Sequence, residues 1–336
     1  MKRTLVAAGL VLAVALLVAA CGSSSSSSSS SSASTTSAKK QPKIAYLSFA
    51  VANSYDAPML AAAQTVAKDA GASLTVLDAN NDPKAQFAQL QNATASGKYN
   101  AIIVQPIFGT GLITGVQDAI SKGIKVVNLD QILGPDLSTD QPQVKGMSGN
   151  IVFVPTEIGK KLGNLVVQAC QTNNLNPCNV GYLFDIKASA LDVAIKKAFD
   201  QATAGKVKVV AQGESFFTAA KGLAATQNML QAHPDINLIV GSDQGIEGAV
   251  QGIGKKKVTL VGYGASAAAL NGVAAGQWFG DVAQLPATEG RLAAQAAVKA
   301  VQDGANAGGV DPVAQLPNGG VVTKDNVKQF TAEWPG

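Results

Sequence analysis

Short apolar runs in this chain are repeatedly followed by amides, carboxylates and aromatic rings, with almost no cation among them. The group comprises Asn53, Tyr55 and Asp56, then Gln105, Asp130 and Gln131, and later Phe217, Ser242 and Gln284. Amide and carboxylate groups offer paired donors and acceptors, and together with aromatic faces they suit a neutral, polyhydroxylated small molecule. Asn80-Asn81-Asp82 holds a comparable place, but Asp82 before Pro83 reads as a helix N-cap. Asp56 and Asp130 could instead form the acid/base pair of a glycoside hydrolase. Against catalysis, the chain has one histidine, His233, and three cysteines, so a His-based zinc site lacks ligands and a Ser-His-Asp triad would rest on His233 alone. No G-x-G-x-x-G follows the first apolar run, and neither a Walker A loop nor a G-x-S-x-G elbow occurs. No cofactor or metal is implied. The pattern reads as a binding protein, not an enzyme.

Charge narrows the ligand further. The 336 residues carry 26 cations and 22 acids, a formal net of +4. Five of those cations (Lys2, Arg3, Lys39, Lys40, Lys43) lie in residues 1–43, which hold no acid, so the rest of the chain is close to neutral. That leaves no basic footprint for nucleic acid. After Arg3 the next arginine is Arg291. Sites for phosphate or carboxylate usually use the bidentate guanidinium fork, so an anionic ligand is disfavoured.

The N-terminus reads as an address. Lys2 and Arg3 precede an apolar run from Leu5 to Ala20, and Val18-Ala19-Ala20-Cys21 with Gly22 resembles a bacterial lipobox. Residues 1–20 are then a lipoprotein signal peptide, and Cys21 the lipidated N-terminus of an extracytoplasmic protein anchored to the cell membrane. Residues 21–42, with ten consecutive serines from Ser23 to Ser32, bury nothing and read as a flexible tether. Cys170 and Cys178 remain as an even pair eight apart, and an exported setting permits a disulfide between them.

Positioning falls to a regular alternation of strand and helix. Apolar strands are expected at 44–48, 74–77, 101–104, 125–129, 179–184, 206–211, 237–241, 258–262 and 280–284. Helical patterns fall between them and at 287–303, with Pro83 opening one helix and Gly71 closing another. Strands alternating with helices imply parallel sheets of βαβ units. The number of strands asks for two doubly wound α/β lobes. Ligands of such sheets bind beyond the carboxyl ends of the strands, where the residues named above fall.

Over residues 43–330 the chain resembles the type I periplasmic sugar-binding proteins, in the ribose-binding branch that serves ABC transporters. The resemblance is carried by Lys43-Ile44-Ala45-Tyr46 leading to Asn53-Ser54-Tyr55, by Asp78 to Pro83, by Val104-Gln105-Pro106 and by Val127-Asn128-Leu129-Asp130. Farther on it is carried by Ala232-His233-Pro234-Asp235, Leu260-Val261-Gly262-Tyr263 and Ala283-Gln284-Leu285-Pro286. It implies two lobes, 43–147 plus 287–314 and 150–284 plus 316–333, joined by three crossovers near 146–150, 285–287 and 313–317. They would close on ligand like a hinge. It also implies a monomer that delivers its ligand to an ABC permease in the membrane. The alternative is a sensor that presents a small signalling molecule to a membrane receptor.

Carried over residue by residue, the resemblance places Asn53, Tyr55, Gln105, Asp130, Phe217 and Gln284 in ligand-binding positions. It puts Asp56 where a second stacking ring stands, Gln131 and Ile195 where arginines clamp the sugar, Ser242 for an Asn, and Gly264 for an Asp. Each lost charged hydrogen bond would contribute about 1.5–3 kcal/mol. A modified sugar, deoxysugar, polyol or cyclitol therefore fits at least as well as a standard pyranose.

Overall fold

The computed structural model describes residues 40–336. The expected leader, Cys21 and nearly all of the tether lie outside the described residues. Two six-stranded sheets organise the described chain. The first contains β1 (Lys43–Ser48), β2 (Ser73–Asp78), β3 (Ala101–Val104), β4 (Lys125–Asp130), β5 (Gly149–Val152) and β11 (Gly309–Val310), in the spatial order β11-β5-β4-β3-β1-β2. All its pairings are parallel. The second contains β6 (Asn179–Phe184), β7 (Lys208–Glu214), β8 (Leu238–Ser242), β9 (Thr259–Gly264), β10 (Gly280–Ala283) and β12 (Val321–Thr323), in the order β12-β10-β9-β8-β6-β7. Only β12 runs antiparallel to its neighbour there.

Period-two alternation decides what each strand buries. Ile44 and Tyr46 of β1 face α1 (Asp56–Asp69) and α9 (Pro286–Asp303) through Met59, Ala63, Ala293 and Ala297. Ala45 and Leu47 face α2 (Pro83–Ala95) and α3 (Gly109–Ser121) through Leu90 and Val116. In the second sheet Tyr182 and Phe184 pack on α4 (Pro155–Thr172) and α5 (Ala190–Thr203), meeting Leu162, Ile195 and Phe199. Leu183 and Ile239 pack instead with Met229 of α6 (Ala219–Ala232), Ile246 of α7 (Asp243–Gly252) and Leu270 of α8 (Ala267–Ala275). Local signals set the helix starts. The Asp82 carboxylate accepts from the Lys84 and Ala85 amides at 2.8 and 3.2 Å, ahead of Pro83 at the first turn. Ser189 caps α5 by accepting from the Asp192 amide at 3.0 Å, and its hydroxyl donates to the Asp192 carboxylate at 2.8 Å. A Cβ at Gly290 would run into the Met59 carbonyl, so glycine there is what lets α9 lie against α1.

The chain passes between the sheets at 153–154, at 284–285 and within 311–320. The first passage departs from the expected 146–150. Gly149–Val152 is a buried strand hydrogen-bonded to β4, with Val127 opposite Gly149, so residues 150–152 belong to the first sheet and not to the second lobe. Four residues without alternation, following an irregular loop, carry too little periodic signal to be read as a strand.

Cys170, in the last turn of α4, is bonded to Cys178, just ahead of β6, with a Cα–Cα separation of 5.9 Å. In the chain-entropy picture closing so short a loop contributes roughly 2–3 kcal/mol. The Cys170→Ala/Cys178→Ala protein should therefore lose about that much in urea denaturation. Equal stability of the two proteins would remove any structural role for the bond.

Candidate functional site

Strand ends from both sheets converge on one cavity. It is lined by Phe49, Asn53, Tyr55, Asp56, Gln105, Asp130 and Gln131 from the side of the first sheet. Leu191, Phe217, Ser242, Gln244, Tyr263 and Gln284 line it from the second, with Phe153 and Trp334 between. All nine residues expected from sequence to meet a ligand line this cavity.

Gln105 organises the first wall. It follows β3 directly and is buried, its Oε1 accepting from the Phe49 amide at 3.1 Å. Its Nε2 donates to Asp56 Oδ1 at 2.7 Å and to Asp130 Oδ2 at 3.1 Å, so one amide nitrogen serves two carboxylates. Gln86 of α2, fully buried, holds that strand end by donating to the Gln105 carbonyl at 2.7 Å and accepting from the Ile107 amide at 2.9 Å. Burial pushes the Asp56 carboxyl up to about 7, the Gln105 hydrogen bond opposing the rise. It pushes Asp130 up to about 8, with the nearby Asp56 charge adding to the effect. Asp130 Oδ1 is buried without a hydrogen-bond partner. Asp130 (φ 69°) and Phe217 (φ 55°) both sit in left-handed backbone, a conformation costing of order 1–3 kcal/mol for such residues. That backbone turns each side chain out of its strand end toward the cavity.

The second wall is built behind the cavity on Asp185. This fully buried carboxylate accepts from Ser215 Oγ at 2.6 Å, Ser242 Oγ at 2.5 Å and Tyr263 OH at 2.6 Å. Three donors thus hold Ser242 and Tyr263 in place at the cavity surface. Burial raises the Asp185 carboxyl and the three hydroxyls lower it.

Contacts also bridge the two walls. Gln244 Nε2 donates to Asn53 Oδ1 at 3.3 Å and to Ser54 Oγ at 3.2 Å. The Phe49 and Phe217 rings meet edge-on at 6.3 Å. Tyr55 and Trp334 meet edge-on at 5.3 Å. Trp334 belongs to a terminal segment that touches both lobes. Glu333 accepts from the Thr288 amide and hydroxyl at the start of α9, and the Trp334 carbonyl accepts from the Ala267 amide at the start of α8.

Two sequence expectations are corrected here. Ile195 does not face the cavity. It is buried against Leu162 and Phe199, and Leu191, one turn nearer the start of α5, takes the cavity position. Only the first turn of that helix overlooks the cleft, and the next already lies over the sheet. Gly264 is not an open gap left by a missing carboxylate either. The Trp334 ring covers it, Trp334 Nε1 donates to the Gly264 carbonyl at 2.7 Å, and a Cβ at residue 264 would strike that ring. Sequence reasoning missed Phe49, Phe153, Leu191, Tyr263 and Trp334 as lining residues. Phe49 and Tyr263 were the accessible ones, because they directly follow the expected strands 44–48 and 258–262. Gln244 was visible at a strand end without being assigned a ligand role.

Among the described residues no group of three His, Cys, Asp or Glu side chains is arranged to hold a metal ion. None of their helices is long and apolar enough to cross a membrane.

The family model described as periplasmic binding protein domain matches residues 44–306. The ribose import binding protein RbsB of Escherichia coli (strain K12) is 26% identical over 271 residues, 79% of this chain and 86% of the relative. The D-allose-binding periplasmic protein of the same organism is 27% identical over 262 residues, 75% of this chain and 80% of the relative. Among solved structures, a periplasmic solute binding protein of an ABC transporter from Actinobacillus succinogenes 130z with bound D-allose superposes with a TM-score of 0.70. It is 25% identical, and the match covers 86% of this chain and all of that one.

Proposed function

This chain belongs to the type I periplasmic sugar-binding proteins, and from that premise we propose that it is the substrate-binding component of an ABC importer. Its ligand is a small polyhydroxylated molecule without an acidic group: a sugar, modified sugar, polyol or cyclitol. The two lobes, hinged at the three passages between the sheets, close on it. One observation carries this reading. The cavity between the strand ends is lined by amides, two carboxylates and six aromatic rings, and by no lysine or arginine. Burying an unpaired phosphate or carboxylate beside Asp56 and Asp130 would be strongly unfavourable. A role in binding rather than turnover is supported by the relatives, which are binding proteins by name.

A thermal-shift screen over sugars, polyols and cyclitols, followed by calorimetry, tests the reading. A ligand at 100 times its dissociation constant adds about 2.7 kcal/mol of stability. Phe217→Ala and Asp130→Ala should each weaken binding, and Asp130→Ala more than Ser242→Ala, because Asp130 Oδ1 is buried without a partner whereas the Ser242 hydroxyl already donates to Asp185. Tight binding of a sugar phosphate would refute the proposal.

The protein works outside the cytoplasmic membrane as a monomer, acylated at Cys21 and tethered by residues 21–42. Acyl chains hold a protein stably only when more than one is attached. Cys21→Ala should therefore move it from the membrane fraction to the medium or periplasm. Retention of that variant on membranes would sink the anchor.

A further inference from the structure

We infer that the ligand of this site carries a protonated amine on its polyhydroxylated frame. The inference rests on the binding reading above and names the charge of that ligand. Asp56 and Asp130 face one cavity and share a single amide nitrogen, that of Gln105. Asp130 is 4% exposed, and its Oδ1 has no hydrogen-bond partner. A carboxylate oxygen buried in this way costs free energy until a donor reaches it, and a charged donor repays most. The residues lining the cavity supply no cation. Residues 131 and 191, on opposite walls, are Gln and Leu, and no lysine or arginine lines the cavity.

The remaining lining fits the same charge. Phe49, Tyr55, Phe153, Phe217, Tyr263 and Trp334 surround the space with rings, and a desolvated ammonium is attracted to aromatic faces. The described residues hold no three-ligand acidic cluster that would suit a metal ion instead. The charge that fits is therefore organic. Asn53, Gln131, Gln244, Ser242 and Gln284 are left to serve hydroxyl groups.

The surroundings set the sign of the proton linkage. Asp56, on α1, also feels Asp78 at the end of β2. Asp130 is flanked by Asp56 and by Glu289 of α9; Tyr46 of β1, Tyr55 and Glu333 also act on this group, Asp311 acts on Glu289, and Tyr263 faces the cavity from the other wall. None is a cation. With the Asp56 and Asp130 carboxyls pushed up to about 7 and about 8, an ammonium arriving at neutral pH displaces protons from the pair. A neutral ligand has no such effect, or draws a proton in.

Calorimetry at pH 7.0, in two buffers of different ionisation enthalpy and with a chelator present, tests this with matched probes. The probes are D-glucosamine, D-glucose and N-acetyl-D-glucosamine, 1-amino-1-deoxysorbitol with sorbitol, an aminodeoxyinositol with myo-inositol, and glucuronate. In the set that binds, the amine should bind at least tenfold more tightly than its hydroxyl or N-acetyl counterpart, with release of protons. Asp130→Asn, which preserves shape, should cut that preference to about threefold or less, with its folding checked by circular dichroism. Neutral members binding as tightly as the amines would overturn the inference and leave the binding reading standing. Binding of glucuronate, or of no member of the panel, would overturn both.

Discussion

Trp334→Ala is expected to destabilise the protein by about 3–5 kcal/mol, the range for truncating a large buried aromatic. Trp334 is 5% exposed. Its ring fills the space over Gly264 and meets Tyr55 edge-on, and its Nε1 donates to the Gly264 carbonyl. Truncation leaves a cavity at the junction of the lobes and strands that carbonyl. It also frees the Tyr55 ring, so ligand affinity should fall along with the thermal midpoint. Trp334→Phe separates the two contributions. It keeps most of the packing and loses one hydrogen bond, which contributes about 1 kcal/mol. An unchanged midpoint in Trp334→Ala would mean that the terminal segment does not hold the lobes together.

Ligand-free protein should be several kcal/mol less stable at pH 8 than at pH 5, opposite to the usual behaviour of salt-bridged carboxylates. Burial raises Asp56 from 3.8 to about 7, Asp130 to about 8 and Asp192 to about 7. It also lifts Glu289 and Asp281 well above their usual range. A carboxyl with a raised folded-state pKa binds more protons folded than unfolded. Its contribution is then complete below the unfolded value near 4 and is lost as pH rises through 7 to 8. At about 1.36 kcal/mol per unit, Asp56 alone accounts for roughly 3 kcal/mol between pH 5 and pH 8, because the part of its shift below pH 5 is already lost. That is a large share of a typical total of 5–15 kcal/mol. Urea denaturation across pH 5 to 8 reads the slope directly. The Asp56→Asn/Asp130→Asn protein should show a distinctly shallower one. A flat profile in the parent protein would mean that these carboxyls are solvated or paired.

What the sequence determined by itself was local in origin. The alternation of apolar strands with Ala-rich helices, opened by Pro83 and Asp82 and closed by Gly71, comes from backbone preference and side-chain period. Those signals act within a few residues and suffice to demand two parallel-sheet lobes. Because such sheets bind ligand beyond their strand ends, Asn53, Tyr55, Asp56, Gln105, Asp130, Gln131, Phe217, Ser242 and Gln284 could be named before their convergence was seen. The eight-residue spacing likewise pointed to the Cys170–Cys178 bond.

Tertiary structure decided whatever depends on where the chain returns. Gly149–Val152 is a strand because β4 offers it an edge, as are the two residues of β11 and the three of β12 beside their neighbours. Ile195 and Leu191 lie on one helix face, and only the tilt of α5 over the second sheet sends one into the core and leaves the other at the cavity. Trp334 reaches Gly264 across 70 residues, and Gln244 reaches Ser54 across 190. The Gln105 nitrogen shared by two carboxylates, and Asp185 hidden behind three hydroxyls, arise from strand and helix ends brought together by strand order. No local propensity encodes contacts of that range. They are set by the packing of whole elements, which places side chains beside partners that sequence spacing cannot reveal.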